Sequence, residues 1–245
     1  MSKDSNEQQS KKDIATIPSA TKYDRVHTAS KVLLSFIPYG SGSAAEIFNA
    51  IIVPPLSKRR DEWIQSIAER LIAVEEVVEG FKIENLSENE IFITVLTNAS
   101  QSAIRNHQHE KLQALRNAAI NSAISTTIAE DIQLMFISFI DSFTVWHIKL
   151  LIFLDNPEDW GKKYGIKYPD WSMGGLSTII EFTFPELKAM KEFTRQVVKD
   201  LYNRGLIGTD SIGTTMTRHG MFESRTTVFG KQFVSFILSS ELQSS

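Results

Sequence analysis

The chain has 245 residues, 42% of them hydrophobic, and a net charge of −3, as is typical of a soluble globular protein. This mild charge argues against a global attraction to nucleic acid or anionic lipid. The lack of cysteine excludes disulfides and thiolate zinc sites, and the polar start lacks the apolar stretch of a secretory signal. We therefore expect a cytoplasmic protein with a disordered lead-in over residues 1–21.

A long apolar segment follows at residues 32–55. It is long enough for a bilayer, which needs roughly 20 apolar residues, but Pro38, Gly40 and Gly42 interrupt it. The interruption favours a buried helical hairpin, and a membrane-associated segment is the alternative. In that alternative, the candidate membrane contacts are bulky apolar residues and the basic cluster after them, namely Phe36, Ile37, Ile47, Phe48, Lys58, Arg59 and Arg60.

We predict one helical domain over residues 22–142, which includes this segment. Apolar residues at three- and four-residue spacing predict a helix from Asp61 to Glu79. Ser87 and Glu90 form a capping-box pattern, which predicts that the next helix starts there. That helix is expected to continue with a break near Asn106, and a further helix precedes the end of the domain.

The polar run from Arg105 to Lys111 contains two histidines, which suggests a metal or catalytic site. His107 and His109 are two residues apart and would lie on opposite sides of a helix, whereas helical metal ligands stand four apart. Arg105 and His109 share a face, but no acid stands at a useful spacing. We interpret the run as a solvated face. Because no other catalytic, metal or cofactor motif is present, we predict a non-enzymatic protein without a cofactor or metal.

A second domain is predicted over residues 143–245, where the sequence pattern changes. Thr144 is a good N-cap for a helix that should end at Asn156-Pro157. A polar linker with aromatic residues is expected from Glu158 to Gly175. Two further helices follow, a short one at Leu176 to Phe182 and a longer one from Pro185 to Asn203.

The end of the chain has the pattern of a winged helix. A helix that ends in Gly205-Leu206-Ile207 is followed by a loop rich in Gly, Ser and Thr, as in a wing tip. From Arg225 the chain is expected to pair as a strand before a last short helix, Lys231 to Leu238. The predicted fold is therefore mainly α, with an N-terminal helical part and a C-terminal winged-helix-like unit with a small β-wing.

Six basic residues in this domain are the candidates for contact with DNA or a protein partner: Lys188, Lys191, Arg195, Lys199, Arg204 and Arg218. The first four stand at three- and four-residue spacing, so they would form one stripe on the long helix. Such a stripe neutralises phosphates in a helix that reads DNA, and it is equally typical of a solvated or protein-docking face. His147, on the preceding apolar helix, is interpreted as a packed histidine.

Several packing and turn motifs follow one another along the chain. They are a small-residue apolar segment at residues 37–49, Leu115-Arg116-Asn117-Ala118, Phe143-Thr144-Val145-Trp146-His147, Tyr202 to Ile207, and Thr226 to Phe233. Their order resembles that of bacterial proteins including the abortive-infection alpha family, which is linked to phage resistance. The resemblance implies a role in phage defence and brings no catalytic residues with it.

These observations leave three hypotheses about function. The first is a cytoplasmic, non-enzymatic interaction or sensor protein that uses the winged helix to dock on a protein partner. The second is a winged-helix transcriptional regulator that binds DNA through the basic stripe. The third is a membrane-active effector that uses residues 32–55. A homo-oligomer is compatible with each of them.

Overall fold

The computed structural model describes residues 46–124 and 127–239, with side chains described from Pro55 onward. Its α-helices are α1 (Glu46–Val77), α2 (Glu90–Arg105), α3 (His109–Ile124), α4 (Glu130–Ser142), α5 (Val145–Asp155), α6 (Pro157–Tyr164), α7 (Leu176–Thr183), α8 (Lys191–Asn203), α9 (Arg218–Phe222) and α10 (Val228–Ile237). Two 3₁₀ helices, Ile83–Glu88 and Pro185–Ala189, and two antiparallel strands, β1 (Met173–Gly174) and β2 (Met216–Thr217), complete the described elements. The described part is mainly helical, which confirms the mainly α prediction.

Helix α1 presents one apolar face to the core. Trp63, Ile67, Leu71 and Val74 recur at three- and four-residue spacing and are all buried. The predicted helix is therefore confirmed, although it begins at Glu46 and ends at Val77. The expected hairpin in residues 32–55 depends on positions outside the described residues. In the described part, no helix is long and apolar enough to cross a bilayer.

Helix α2 begins later than the capping-box pattern predicts. Ser87 lies in the first 3₁₀ helix, where its hydroxyl donates to the carbonyl oxygen of Glu84 at 2.9 Å. Asn89 caps α2 instead, because its side-chain oxygen accepts from the N–H of Phe92 at 3.0 Å. Asn and Ser are equally good caps, so local sequence does not decide between them. Packing does, since the 3₁₀ turn buries Leu86.

The helices on the two sides of Phe143 share one hydrophobic core. Helix α3 packs against α2 and α10, and the break between α2 and α3 falls at Asn106 as predicted. At the centre, the ring of Phe136 in α4 lies 5.0 Å from the rings of both Phe229 and Phe233 in α10, measured between centroids. The core therefore continues across the position at which the sequence predicts a domain boundary.

Two asparagines of α3 hold the C-terminal end of α10. The amide of Asn117 donates to the carbonyl oxygen of Ile237 at 2.9 Å. The amide of Asn121 donates to the carbonyl oxygens of Phe236 at 2.9 Å and Leu238 at 2.8 Å. The last carbonyl groups of a helix have no partner within it, so these side chains satisfy them and fix α10 on α3.

The predicted linker from Glu158 to Gly175 contains a helix. Asn156 caps α6 by accepting from the N–H of Asp159 at 3.0 Å, and Pro157 lies in the first turn. The Asn-Pro pair therefore ends α5, as predicted, and also opens α6. The short helix expected after the linker is confirmed as α7.

The predicted helix from Pro185 to Asn203 is two elements. Pro185–Ala189 forms the second 3₁₀ helix, and α8 begins only at Lys191. Between them, Met190 has φ −118° and ψ 41°, outside the helical region. The 3₁₀ turn buries Leu187 in the core. Basic side chains before and after Met190 therefore do not lie on one continuous helix.

The predicted β-wing contains one isolated bridge and the two-residue strand β2, which pairs with β1. Gly205 follows α8 with a φ of 71°, as expected of a C-cap glycine. Ile207 pairs with Thr226 in an isolated antiparallel bridge, but α10 already begins at Val228. The strand expected from Arg225 is therefore wrong beyond this bridge. The apolar side chains of α10 have helical spacing and pack on α4, which outweighs the β propensity of the threonine-rich run before them.

Candidate contact face of helix α8

Helix α8 is amphipathic, and its inner face is anchored in the core. Thr194, Val197, Val198 and Leu201 are buried, and the helix packs against α5. These positions lie on one side of a helix with 3.6 residues per turn. The opposite side is left for solvent or for a partner.

The outer side of α8 carries charges of both signs. Lys191, Arg195 and Lys199 are exposed there. Glu192 is exposed among them and forms an ion pair with Arg195, whereas Asp200 faces His147 beneath this surface. The predicted basic stripe is thus a mixed-charge surface, on which one of the three cations is already paired.

Two large apolar side chains accompany these charges. Tyr202, in the last turn of α8, is 44% exposed, and Met190, just before the helix, is 41% exposed. Tyr202 follows Arg195 by two helical turns and therefore stands on the same side of the helix. The α8 face consists of the exposed side chains of Met190, Lys191, Glu192, Arg195, Lys199 and Tyr202.

The other predicted contact residues lie off this face. Lys188 is exposed on the second 3₁₀ helix. Arg204 packs its guanidinium 4.7 Å from the ring centre of Phe139. Arg218 begins α9 and donates to the carbonyl oxygen of Pro169 at 2.8 Å. Both arginines therefore make packing contacts within the chain, and the six predicted residues do not form one site.

His147 connects α8 to the start of α5. Its Nδ1 accepts from the backbone N–H of Thr144 at 3.2 Å, so in the neutral ring Nε2 carries the proton and faces the carboxylate of Asp200 at 3.5 Å. The ring stacks on Phe143, with centroids 4.7 Å apart. Burial lowers the pKa of His147, and the hydrogen bond with Asp200 opposes that shift. The predicted packed histidine is confirmed, and it also helps to fix α8.

A second polar cluster lies where α2, α3 and α4 meet. The carboxylate of Asp141 accepts a hydrogen bond from the hydroxyl of Ser102 at 2.6 Å. Both of its oxygens also accept from the guanidinium of Arg105, each at 3.0 Å. Lys111 is buried and donates to the backbone carbonyl oxygen of Asp141 at 2.9 Å. Burial works against ionisation of Asp141, but the hydrogen bonds from Ser102 and Arg105 and the nearby positive charges lower its pKa. Burial also lowers the pKa of Lys111.

This cluster corrects the interpretation of residues 105–111 as a solvated face. His107 and His109 are exposed, as expected, but Lys111 is not. Its partner Asp141 is far away in the sequence, so no local spacing identifies it. Among the described residues, no three His, Asp or Glu side chains are grouped so as to hold a metal ion.

The predicted membrane contacts lie partly outside the described structure. Phe36 and Ile37 are outside the described residues. Ile47 and Phe48 belong to α1, but the structure describes only their backbone. Lys58 pairs with Glu62 at 3.7 Å, and Arg60 pairs with Asp61 at 3.0 Å. Arg59 instead lines a cavity between α1, α2 and α3.

A wide cleft of about 880 Å³ separates α3, α5, α6 and α10. Charged groups on its walls are paired with one another: Lys149 lies 2.9 Å from Glu110, and Lys162 lies 2.9 Å from Asp159. Tyr164, 54% exposed, stands at its edge. Because these charges are satisfied within the chain, the cleft is a weaker candidate for recognition than the α8 face.

Comparison with known proteins gives no relative from which the function of this chain could be inferred. No protein-family model, no curated protein and no solved structure matches this chain. The α8 face combines an exposed aromatic side chain with charges of both signs, which is the chemistry of a contact surface.

Proposed function

We propose that this chain is a non-enzymatic interaction protein, whose C-terminal, winged-helix-like part docks on a protein partner through the α8 face. The observation that carries the proposal is Tyr202, a large aromatic side chain that is 44% exposed among charges of both signs. Tyrosine is enriched at protein interfaces, where aromatic anchors surrounded by polar groups contribute much of the binding energy.

The side chains beneath the α8 face hold the helix in place, which favours this proposal. The inner side of α8 is buried, Asp200 faces His147, and Arg204 packs on phenylalanine rings. A contact surface that is already ordered loses little conformational entropy when a partner binds. The mixed charges suit a partner with complementary charges, which would select the orientation of docking.

The phage-defence setting of this function comes from the sequence resemblance alone. It is a separate part of the proposal, because docking through α8 does not depend on what the interaction serves. Plaque counts on bacteria with and without the chain test this part, and equal counts across a panel of phages would remove it.

Photocross-linking in the native host tests the docking proposal. A photoreactive amino acid is placed at Lys199 and, in a second variant, at Tyr202. The control position is Glu79, which is exposed in the turn after α1. We expect both α8 positions to give the same protein adduct, resistant to nuclease, and the control position to give none. The absence of an adduct from both α8 positions would contradict the proposal.

A DNA-binding function is the second candidate, and one observation favours it. Lys188, Lys191 and Lys199 are exposed and have no acidic partner among the described residues. Binding through such lysines would release counterions, so the affinity for duplex DNA would fall steeply with salt. Fluorescence anisotropy at two salt concentrations checks this, and a Lys191→Glu variant should weaken DNA binding if it occurs. Glu192, an exposed acid on the same side of α8, makes us rank this function second.

A further inference from the structure

A small cavity lies between α1, α2 and α3, away from the α8 face. Its volume is about 190 Å³. Arg59 reaches it from α1, and His109, Gln113 and Arg116 reach it from α3. The three α3 residues follow one another at four- and three-residue spacing, so they lie on one side of that helix. Trp63, which is buried, contributes an apolar wall.

Arg59 and Arg116 differ from the other described arginines. Each of the others has a partner within the chain: Arg60, Arg70, Arg105, Arg195, Arg204, Arg218 and Arg225 contact acids, hydroxyls, carbonyls or aromatic rings. Arg59 and Arg116 are only partly exposed, yet neither has a hydrogen bond or ion pair with any residue that the structure describes. Two guanidinium groups, with ten N–H donors between them, thus line one cavity without an acceptor among the described residues.

The charge around the cavity is positive. Glu62 is the one carboxylate among its lining residues, and its side chain is 64% exposed and 3.7 Å from Lys58. Arg59 and Arg116 are permanently charged, and His109 can add a further donor. Two cations that face one cavity repel each other unless an anion lies between them, so the arrangement is suited to an anionic ligand.

We infer that this cavity binds a phosphate group. Guanidinium groups match the oxygen atoms of phosphate through paired N–H donors, and the amide of Gln113 offers another donor. The volume is below the 300–1,000 Å³ typical of sites for drug-sized ligands, and Trp63 and Leu112 supply an apolar wall. The ligand that fits is a phosphate monoester with a short organic body. A phospholipid headgroup carries the same chemistry and is the other possible source of the phosphate.

Calorimetric titration with inorganic phosphate and with glycerol 3-phosphate tests the site on the full chain. Arg59→Met and Arg116→Met each remove one guanidinium group and keep an unbranched stem. The matched control is Arg195→Met on α8, where an exposed arginine is lost from a different surface. Loss of one charge-assisted contact should weaken binding at least about tenfold. The control should bind as the unaltered chain does, and chloride at equal ionic strength should not replace phosphate.

Flotation with phosphatidylcholine vesicles, with and without phosphatidate, distinguishes the two sources. Binding of glycerol 3-phosphate that needs both arginines supports a soluble ligand, and phosphatidate-dependent flotation that needs both supports a lipid headgroup. If a Met variant does not fold, Arg59→Lys and Arg116→Lys replace it, since they keep the charge and lose the paired donors. The inference is overturned if the folded, unaltered chain binds neither form, or if binding is unchanged in the arginine variants.

Discussion

At the scale of single residues, His147 shows how one ring can join distant parts of the chain. Its Nδ1 accepts from the backbone at Thr144, and its Nε2 faces Asp200 in α8. Arg204 and Lys111 lie near enough to disfavour a positive charge on the ring, and burial disfavours it more. The neutral ring is therefore the form that fits this place, because protonation of Nδ1 would break the bond to Thr144.

We expect acid to weaken the fold through His147. Because burial lowers the pKa in the folded chain, the unfolded chain binds more protons once the pH falls below the usual value of about 6.5. The stability from neutral His147 is complete above that pH and declines below it, until the folded pKa is reached. The carboxyls with lowered pKa, Asp141 and Glu110, lose their contributions only in more acidic solution, since their usual values are 3.8 and 4.5.

Urea unfolding at about pH 7.5 and about pH 5.5 measures this dependence. The urea midpoint of the unaltered chain should fall on acidification, and His147→Gln should show a smaller fall. His107→Gln removes an exposed histidine and should behave like the unaltered chain. An equal fall in the His147→Gln variant would show that another group is responsible.

At the scale of elements, the turn after α8 and the start of α10 are in close contact. The hydroxyl of Thr227 donates to the carbonyl oxygen of Gly205 at 2.6 Å and accepts from the N–H of Gly230 at 2.9 Å. A Cβ atom at Gly230 would overlap the carbonyl oxygen of Leu206. The position therefore requires glycine because two backbones meet there.

Gly230→Ala should destabilise the protein by about 3 kcal/mol, because backbone atoms cannot move aside as a flexible side chain does. Gly213→Ala is the matched control, since a Cβ atom there meets nothing within 4 Å. Urea unfolding of both variants checks the difference. A Gly230→Ala variant as stable as its control would mean that α10 does not approach the turn in this way.

Elements set by local signals could be predicted from the sequence. The apolar spacing of α1, the break at Asn106 and the C-cap at Gly205 are of this kind. Elements set by distant packing could not. The helix that begins at Val228 depends on Phe136, which lies far away in the chain and packs on Phe229 and Phe233.

The candidate site could likewise be predicted only where local spacing decides the structure. Spacing correctly placed Lys191, Arg195 and Lys199 on one exposed side of a helix. Arg204 is not part of the α8 face because it packs on the ring of Phe139. Phe139 lies far away in the sequence, so no local pattern predicts this contact. The exposure of Tyr202 could have been found, because it follows Arg195 by two helical turns on the same side of the helix.

At the scale of the whole molecule, one core joins the segments on the two sides of Phe143. The ring of Phe136 contacts Phe229 and Phe233, and the amides of α3 hold the end of α10. We therefore expect α2 and α8 to unfold together, although the sequence suggests a boundary between them. Hydrogen exchange at increasing urea should give one midpoint for both helices.

Phe233→Ala tests this shared core from its centre. The side chain is fully buried, and its loss should cost about 3–5 kcal/mol through lost burial and the cavity left behind. The loss should lower the midpoints of α2 and α8 equally. Val228→Ala on the same helix is the control, because Val228 is 80% exposed. Two separate midpoints, with only that of α8 lowered, would establish independent domains.

The most direct test of the central claim, that α8 docks on a protein, combines cross-linking with removal of the aromatic anchor. The yield of the adduct from a photoreactive residue at position 199 is measured with Tyr202→Ala and with Val77→Ala, which removes an exposed apolar side chain at the end of α1. Loss of an interface anchor typically costs at least about 2 kcal/mol, so Tyr202→Ala should lower partner affinity more than tenfold and reduce the yield accordingly. Val77→Ala should leave it unchanged. A yield that Tyr202→Ala does not alter, in a folded chain, would contradict docking through α8.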